Sequence, residues 1–183
     1  SELLFSENVK IGHAVNAAGD FNGDGFADLL IGDPDAARSV GWDGDTCCIE
    51  IDPQSGWAYL VLGSDGAFSS NLDIQALGGT NGFRMVGIDA GDLLGFSVGT
   101  AGDFNGDGYD DLLVSAIDAD PEAGSSAGET YVVFGSGGNF AATFDLTTLD
   151  GTNGFRLDGI DAGDGSGLSV STAGDVNGDG YDD

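Results

Sequence analysis

A stretch of 32 residues, Thr80–Asp111, recurs at Thr152–Asp183 with 25 identical positions and an offset of 72. A shorter copy, Gly12–Asp28, matches Gly95–Asp111 at an offset of 83, while Gly56–Gly63 matches Gly128–Gly135 again at 72. The first unit therefore carries 11 extra residues between Asp28 and Gly56, in a segment holding Trp42, Cys47, Cys48 and Glu50. Repetition at a fixed period restricts the fold to a stack of similar units. A length change confined to one segment marks that segment as a surface loop. Within the units, apolar residues fall in short runs bounded by Gly and Asp. These are Phe96–Ala101, then Asp111–Ala116 with its copy Asp28–Gly32, then Tyr131–Phe134, then Phe83–Ile88 with its copy Phe155–Ile160. No run shows a helical stripe, and 34 glycines against 3 prolines suit tight turns between strands. The expected architecture is all-β, built of tandem four-stranded antiparallel blades of a β-propeller.

The chain reads as one repeat domain over 1–183. Residues 1–11 are expected to form an outer strand of a preceding blade, 12–94 the first unit with an inserted loop at 33–55, 95–166 the second unit, and 167–183 the start of a third. Propellers close with at least about four blades. A partial, open propeller is therefore expected, as a fragment of a longer protein or a piece completed by other chains.

Between the first and second strands of each unit lies a nine-residue loop. The loops run Asp20-Phe-Asn22-Gly-Asp24-Gly-Phe26-Ala-Asp28, Asp103-Phe-Asn105-Gly-Asp107-Gly-Tyr109-Asp-Asp111 and Asp175-Val-Asn177-Gly-Asp179-Gly-Tyr181-Asp-Asp183. Positions 1, 3 and 5 put three oxygen side chains on one side of a curling backbone, and Gly at position 6 permits the sharp turn that aims the next carbonyl inward. Position 7 then offers the main-chain oxygen of Phe26, Tyr109 or Tyr181. Position 9 closes the set with Asp28, Asp111 or Asp183. Five hard oxygen donors select calcium over zinc or copper. Two complete calcium sites are expected, and a third whose closing ligand is the last residue. Ala27 at position 8 of the first loop implies that Asp110 and Asp182 are not ligands. An EF-hand would need Glu at position 12, where this chain has Ile31 and Val114 inside apolar runs.

The whole unit resembles the FG-GAP repeat family, the blades of integrin α-subunit heads and of bacterial surface proteins. The resemblance rests on Gly95-Phe96-Ser97-Val98, the Ala-Gly-Asp that opens each loop, the loop itself, Asp111-Leu112-Leu113-Val114, and Gly128-Glu129-Thr130-Tyr131-Val132-Val133-Phe134-Gly135. The Phe-Gly of the family name is replaced by Ile11-Gly12, Leu94-Gly95 and Ser166-Gly167. The resemblance implies a calcium-binding, extracellular or cell-surface module for adhesion, protein binding or surface assembly. Its partners would be another protein or a surface glycan, and further blades from a longer chain or neighbouring chains. Two other roles fit the same resemblance: a non-catalytic propeller accessory to an enzyme in a longer chain, and a lectin-like sugar binder.

Charge narrows the partners further. The formal net charge is −28, with only 4 Lys and Arg, so the phosphates of nucleic acid would be repelled. The acid is 27 Asp against 5 Glu. Asp suits turns and cation-binding loops, while Glu would dominate a solvated helix face. An acidic, Lys-poor surface also suits salty surroundings. No apolar run approaches the roughly 18 residues of a membrane span, so no membrane insertion is expected. Any export signal is expected to lie outside this sequence.

Several features compete for attention. Gly95-Phe96-Ser97-Val98-Gly99 fits a nucleophile-elbow pattern, but a calcium loop follows it and the aligned residue in the first unit is Ala14. His13 aligns with Phe96 and reads as a strand residue, so no catalytic site is expected. Arg84 and Arg156 recur at one blade position. They either bind an anion or pair with the acids Asp89 and Asp92, and Asp161 and Asp164; those Asp pairs could also assist a second cation site. Trp42 and Trp57 could stack on a sugar. Adjacent Cys47 and Cys48 form either a strained vicinal disulfide or two thiols.

Overall fold

The computed structural model describes residues 11–36, 38–39, 51–52, 55–122 and 124–183. The expected outer strand at 1–11, apart from Ile11, and Trp42, Cys47, Cys48 and Glu50 lie outside the described residues. Strand β1 (Ala14–Gly19) leads through the first loop to β2 (Asp28–Asp33). The inserted segment contributes a two-stranded ladder, β3 (Arg38–Ser39) with β4 (Ile51–Asp52), where the sequence reading has only loop. Strands β5 (Trp57–Val61) and β6 (Gly82–Val86) complete a sheet in the order β1-β2-β5-β6, antiparallel throughout. The second unit repeats this with β7 (Leu94–Gly102), β8 (Asp111–Ala116), β9 (Glu129–Val133) and β11 (Gly154–Asp158). These are two blades of an open propeller. A two-residue strand, β10 (Thr143–Phe144), leaves the second unit and pairs parallel with β6, adding a fifth strand to the first sheet.

The alternation expected of two-faced strands sets the packing. From the first sheet, Leu30, Ala58, Leu60, Phe83 and Met85 share one core with Leu112, Val114, Ala116, Tyr131 and Val133 of the second. The residues between them, Ile31, Trp57, Tyr59 and Val61, form a separate cluster with Ile74 and Leu77 on the far face of the first sheet. Stacking is thus head to tail. Leu112 occupies the position of Leu29, but it is fully buried under the first blade, whereas Leu29 is 41% exposed.

Both first strands end in a β-bulge just before the loop, at Ala17/Gly19 and at Thr100/Gly102. A bulge bends the strand and re-aims the chain that follows, and here it points position 1 of each loop out of the sheet. Residues 167–183 contain no strand. They run beside β7, with the Val170 N–H donating to Ser97 Oγ at 3.2 Å and Thr172 Oγ1 donating to the Ala101 carbonyl at 3.3 Å. The ladder partner of a first strand is the strand after the loop, which this sequence does not include.

Candidate metal centre in three aspartate loops

In the first loop, Asp20 Oδ1 accepts the Asp24 N–H at 3.0 Å and Oδ2 accepts the Gly25 N–H at 2.9 Å. Asn22 Oδ1 also accepts from Asp24 N–H, and Asp24 Oδ1 accepts from Phe26 N–H at 2.9 Å. The Asn22 amide donates to the other Asp24 oxygen. The second loop repeats every one of these bonds through Asp103, Asn105, Asp107, Gly108 and Tyr109. The third repeats the side-chain-to-backbone set through Asp175, Asn177, Asp179, Gly180 and Tyr181. Short Asp and Asn side chains that capture N–H groups two to five residues ahead wind the chain into the same curl three times.

The closing aspartates do a different job. Asp28 accepts from Phe21 N–H at 2.9 Å and from Gly63 N–H at 2.7 Å, and Asp111 from Phe104 N–H at 3.1 Å and Gly135 N–H at 2.8 Å. Each ties the start of its loop to the glycine two residues past the third strand, so that glycine's N–H is part of the site's support. Asp183 accepts from Val176 N–H at 2.9 Å and from the Asn177 side-chain amide at 3.5 Å. Asp28 is 3% exposed and Asp111 fully buried. Burial pushes both carboxyls up to about 6, against the pull of those N–H groups, with Asp24 and Asp20 adding repulsion at Asp28 and Asp107 at Asp111. Asp20, Asn22, Asp24 and Phe26 are therefore joined in one hydrogen-bonded turn, with Asp28 behind it. Among the described residues, no group of three or more His, Cys, Asp or Glu is gathered closely enough to hold a metal by itself. The carboxylates of each loop face N–H groups, and the donor set draws on Asn and main-chain oxygens as well.

Family comparison identifies the architecture around these loops. The FG-GAP repeat model matches residues 13–45 and 94–133, two stretches that start at β1 and β7 and take in the first two loops. The chain carries FG-GAP repeats. Integrin alpha-PS2 of Drosophila melanogaster is 28% identical over 182 residues, 97% of this chain and 10% of that protein. Integrin alpha-2 of Bos taurus is 31% identical over 115 residues, 61% of this chain and 8% of that protein. Phosphatidylinositol-glycan-specific phospholipase D of Bos taurus is 32% identical over 131 residues, 70% of this chain and 14% of that protein. The chain spans no more than about a seventh of the length of these relatives.

Outside the loops, the FG-GAP blades correct one sequence expectation. Arg156 pairs with Glu129 at 3.0 Å and with Asp158 at 2.6 Å, not with Asp161 or Asp164. Arg84 lies over the Trp57 ring, 5.0 Å from its centroid, and donates to Thr143 Oγ1. The cause is the residue diagonally across the ladder on the third strand, two positions before the tyrosine that faces each arginine: Glu129 in the second blade is Trp57 in the first. Trp57 thus holds Arg84, and Asp92 and Asp164 instead accept the N–H groups of Asp89 and Asp161. The nucleophile pattern has a structural role as well. Ser97 N–H donates to Ser115 Oγ, which donates back to the Ser97 carbonyl. The His13 ring packs on Phe96 with centroids 4.8 Å apart. No hydrogen bond joins His13 to Ser97 among the described residues.

Asp92 is 4% exposed. Burial pushes its carboxyl up to about 6, and Asp89, Glu129 and Asp120 add repulsion. An acid whose pKa is raised by folding contributes stability below its unfolded value near 4, and that contribution is lost as pH rises through 6. Asp92→Asn keeps an acceptor for the Asp89 N–H and cannot ionise. It should raise stability at pH 7.5 by on the order of 1–2 kcal/mol, with the gain vanishing at pH 4. Urea melts of parent and variant at the two pH values check the sign. A gain that is equal at both would assign it to packing rather than charge.

Proposed function

We propose that the three loops bind calcium, through Asp20, Asn22, Asp24, Phe26 and Asp28, through Asp103, Asn105, Asp107, Tyr109 and Asp111, and through Asp175, Asn177, Asp179, Tyr181 and Asp183, the main-chain oxygen serving at Phe26, Tyr109 and Tyr181. The observation that carries this reading is the same curl formed three times around oxygen donors, with the first two closing carboxylates buried. A buried carboxylate is costly as an anion unless a cation offsets it. An all-oxygen set of three carboxylates, an amide and a carbonyl suits calcium. Calcium titration calorimetry tests the reading directly. Dissociation constants of about 10⁻⁴–10⁻³ M are expected, as in extracellular modules, with magnesium much weaker. Absence of saturable calcium heat in the parent chain would overturn it.

Around that metal the module serves as an extracellular or cell-surface protein-binding scaffold, in adhesion or surface assembly. The integrin alpha relatives support this by name. The exposed Leu29 and Val15 on the first blade occupy positions whose counterparts, Leu112 and Val98, are covered by a neighbouring blade. Further blades, from the same or another chain, fit there. A second reading is favoured by the phospholipase D relative: a non-catalytic propeller attached to an enzyme. The two are separated by assaying the protein's other domains for hydrolysis with and without this module.

A further inference from the structure

The first and second loops are each gripped by the unit that follows. Asp110 Oδ2 accepts the backbone N–H of Asp20 at 2.6 Å, and the Asp110 N–H donates to the Asp20 carbonyl at 3.2 Å. One repeat on, Asp182 Oδ2 accepts the Asp103 N–H at 3.1 Å, and the Asp182 N–H donates to the Asp103 carbonyl at 3.4 Å. In both cases the residue gripped is position 1 of the preceding loop, and the residue that grips is position 8 of its own. Room for the carboxylate comes from Gly19 and Gly102, at φ +71° and +69°, where a Cβ would overlap Asp110 and Asp182. The ring at position 7 reinforces the contact: a Cβ on Gly23 would overlap Tyr109, and one on Gly106 would overlap Tyr181. The first loop has Ala27 at position 8, so it offers no such carboxylate.

We propose that the position-8 aspartate is a positioning residue that one blade lays on the calcium loop of the blade before it, so that the affinity of each loop is set by its successor. The proposal rests on the calcium reading above. Asp20 and Asp103 are the first ligands of their loops, and a carboxylate-to-amide bond of this kind is worth more than a neutral one. Without it, the first ligand must be ordered at the expense of calcium binding. Coupling therefore runs backwards along the chain: Asp110 acts on the first loop and Asp182 on the second.

The test uses the full chain with single loops left active. With the second and third loops disabled by Asp107→Ala and Asp179→Ala, adding Asp110→Ala should weaken calcium binding at the first loop roughly five- to tenfold. Asp110→Asn, which keeps an acceptor, should recover most of it. With the first and third loops disabled by Asp24→Ala and Asp179→Ala, Asp182→Ala should weaken the second loop. In chelator, amide exchange at Asp20 should quicken in Asp110→Ala but not in Asp182→Ala. A general loss of stability would move all loops together and would overturn the proposal, as would calcium binding that is unchanged by Asp110→Ala. A parent chain that binds no calcium at all would instead sink the calcium reading on which it rests.

Discussion

Raising calcium from chelated conditions to 10 mM should lift the unfolding midpoint of this chain by on the order of 10 °C. A ligand that binds only the folded state stabilises it by RT ln(1 + [L]/Kd). At 10 mM calcium and dissociation constants of about 10⁻⁴–10⁻³ M, this comes to about 1.4–2.7 kcal/mol per filled loop. Electrostatics point the same way. The formal net charge is −28, and nine of the acids hold proposed ligand positions, three to a loop, so each divalent ion removes repulsion where two strands join. Asp107→Ala, which deletes a donor of the second loop, should remove roughly one loop's share of the rise. Asp65→Ala, on an exposed turn, should leave the rise intact. Thermal melts across a calcium series check this. A midpoint that ignores calcium, or equal losses from the two variants, would refute the ligand assignment.

Much of this architecture was legible because Gly and Asp punctuate every strand. The expected run Asp111–Ala116 is β8 to the residue, and Phe83–Ile88 and Phe155–Ile160 are shifted only slightly from β6 and β11. The curl of the loops was legible for a similar reason, since Asp, Asn and Gly at fixed spacing encode local hydrogen bonds. What the sequence hid is contact between units. Two-residue β10 has no periodicity to betray it, and its pairing with β6 is parallel and long-range. The partner of each arginine depends on the residue diagonal to it, two positions before the facing tyrosine, Trp57 for Arg84 and Glu129 for Arg156, and register decides that. Ala27 at position 8 of the first loop argues against Asp110 as a ligand. That comparison says nothing of a bond to Asp20, 90 residues away.

Phe21→Ala should be far more damaging than Phe104→Ala, although both residues hold position 2 of an aspartate loop. Phe21 is 1% exposed, with its ring 5.7 Å from Phe83 and 5.5 Å from Phe140. Its carbonyl accepts the Ser136 N–H at 3.0 Å. Phe140 and Ser136 belong to the second blade, so Phe21 joins loop, first sheet and second blade in one apolar joint. Phe104 packs on Phe155 at 5.7 Å but stays 40% exposed. Truncating a buried Phe leaves a cavity and costs about 3–5 kcal/mol, and a half-exposed ring should cost on the order of 1–2 kcal/mol. Urea unfolding in chelator isolates the packing effect from metal binding. If Phe21→Ala fails to fold, Phe21→Leu, closer in volume, should lose less than about 1.5 kcal/mol and still rank the site above Phe104→Leu. Equal losses at the two positions would mean that the blades meet without this joint. Truncation at Phe21 should also weaken calcium binding in the first loop, because the ring anchors the backbone whose N–H is one of the two groups that hold Asp28 in place.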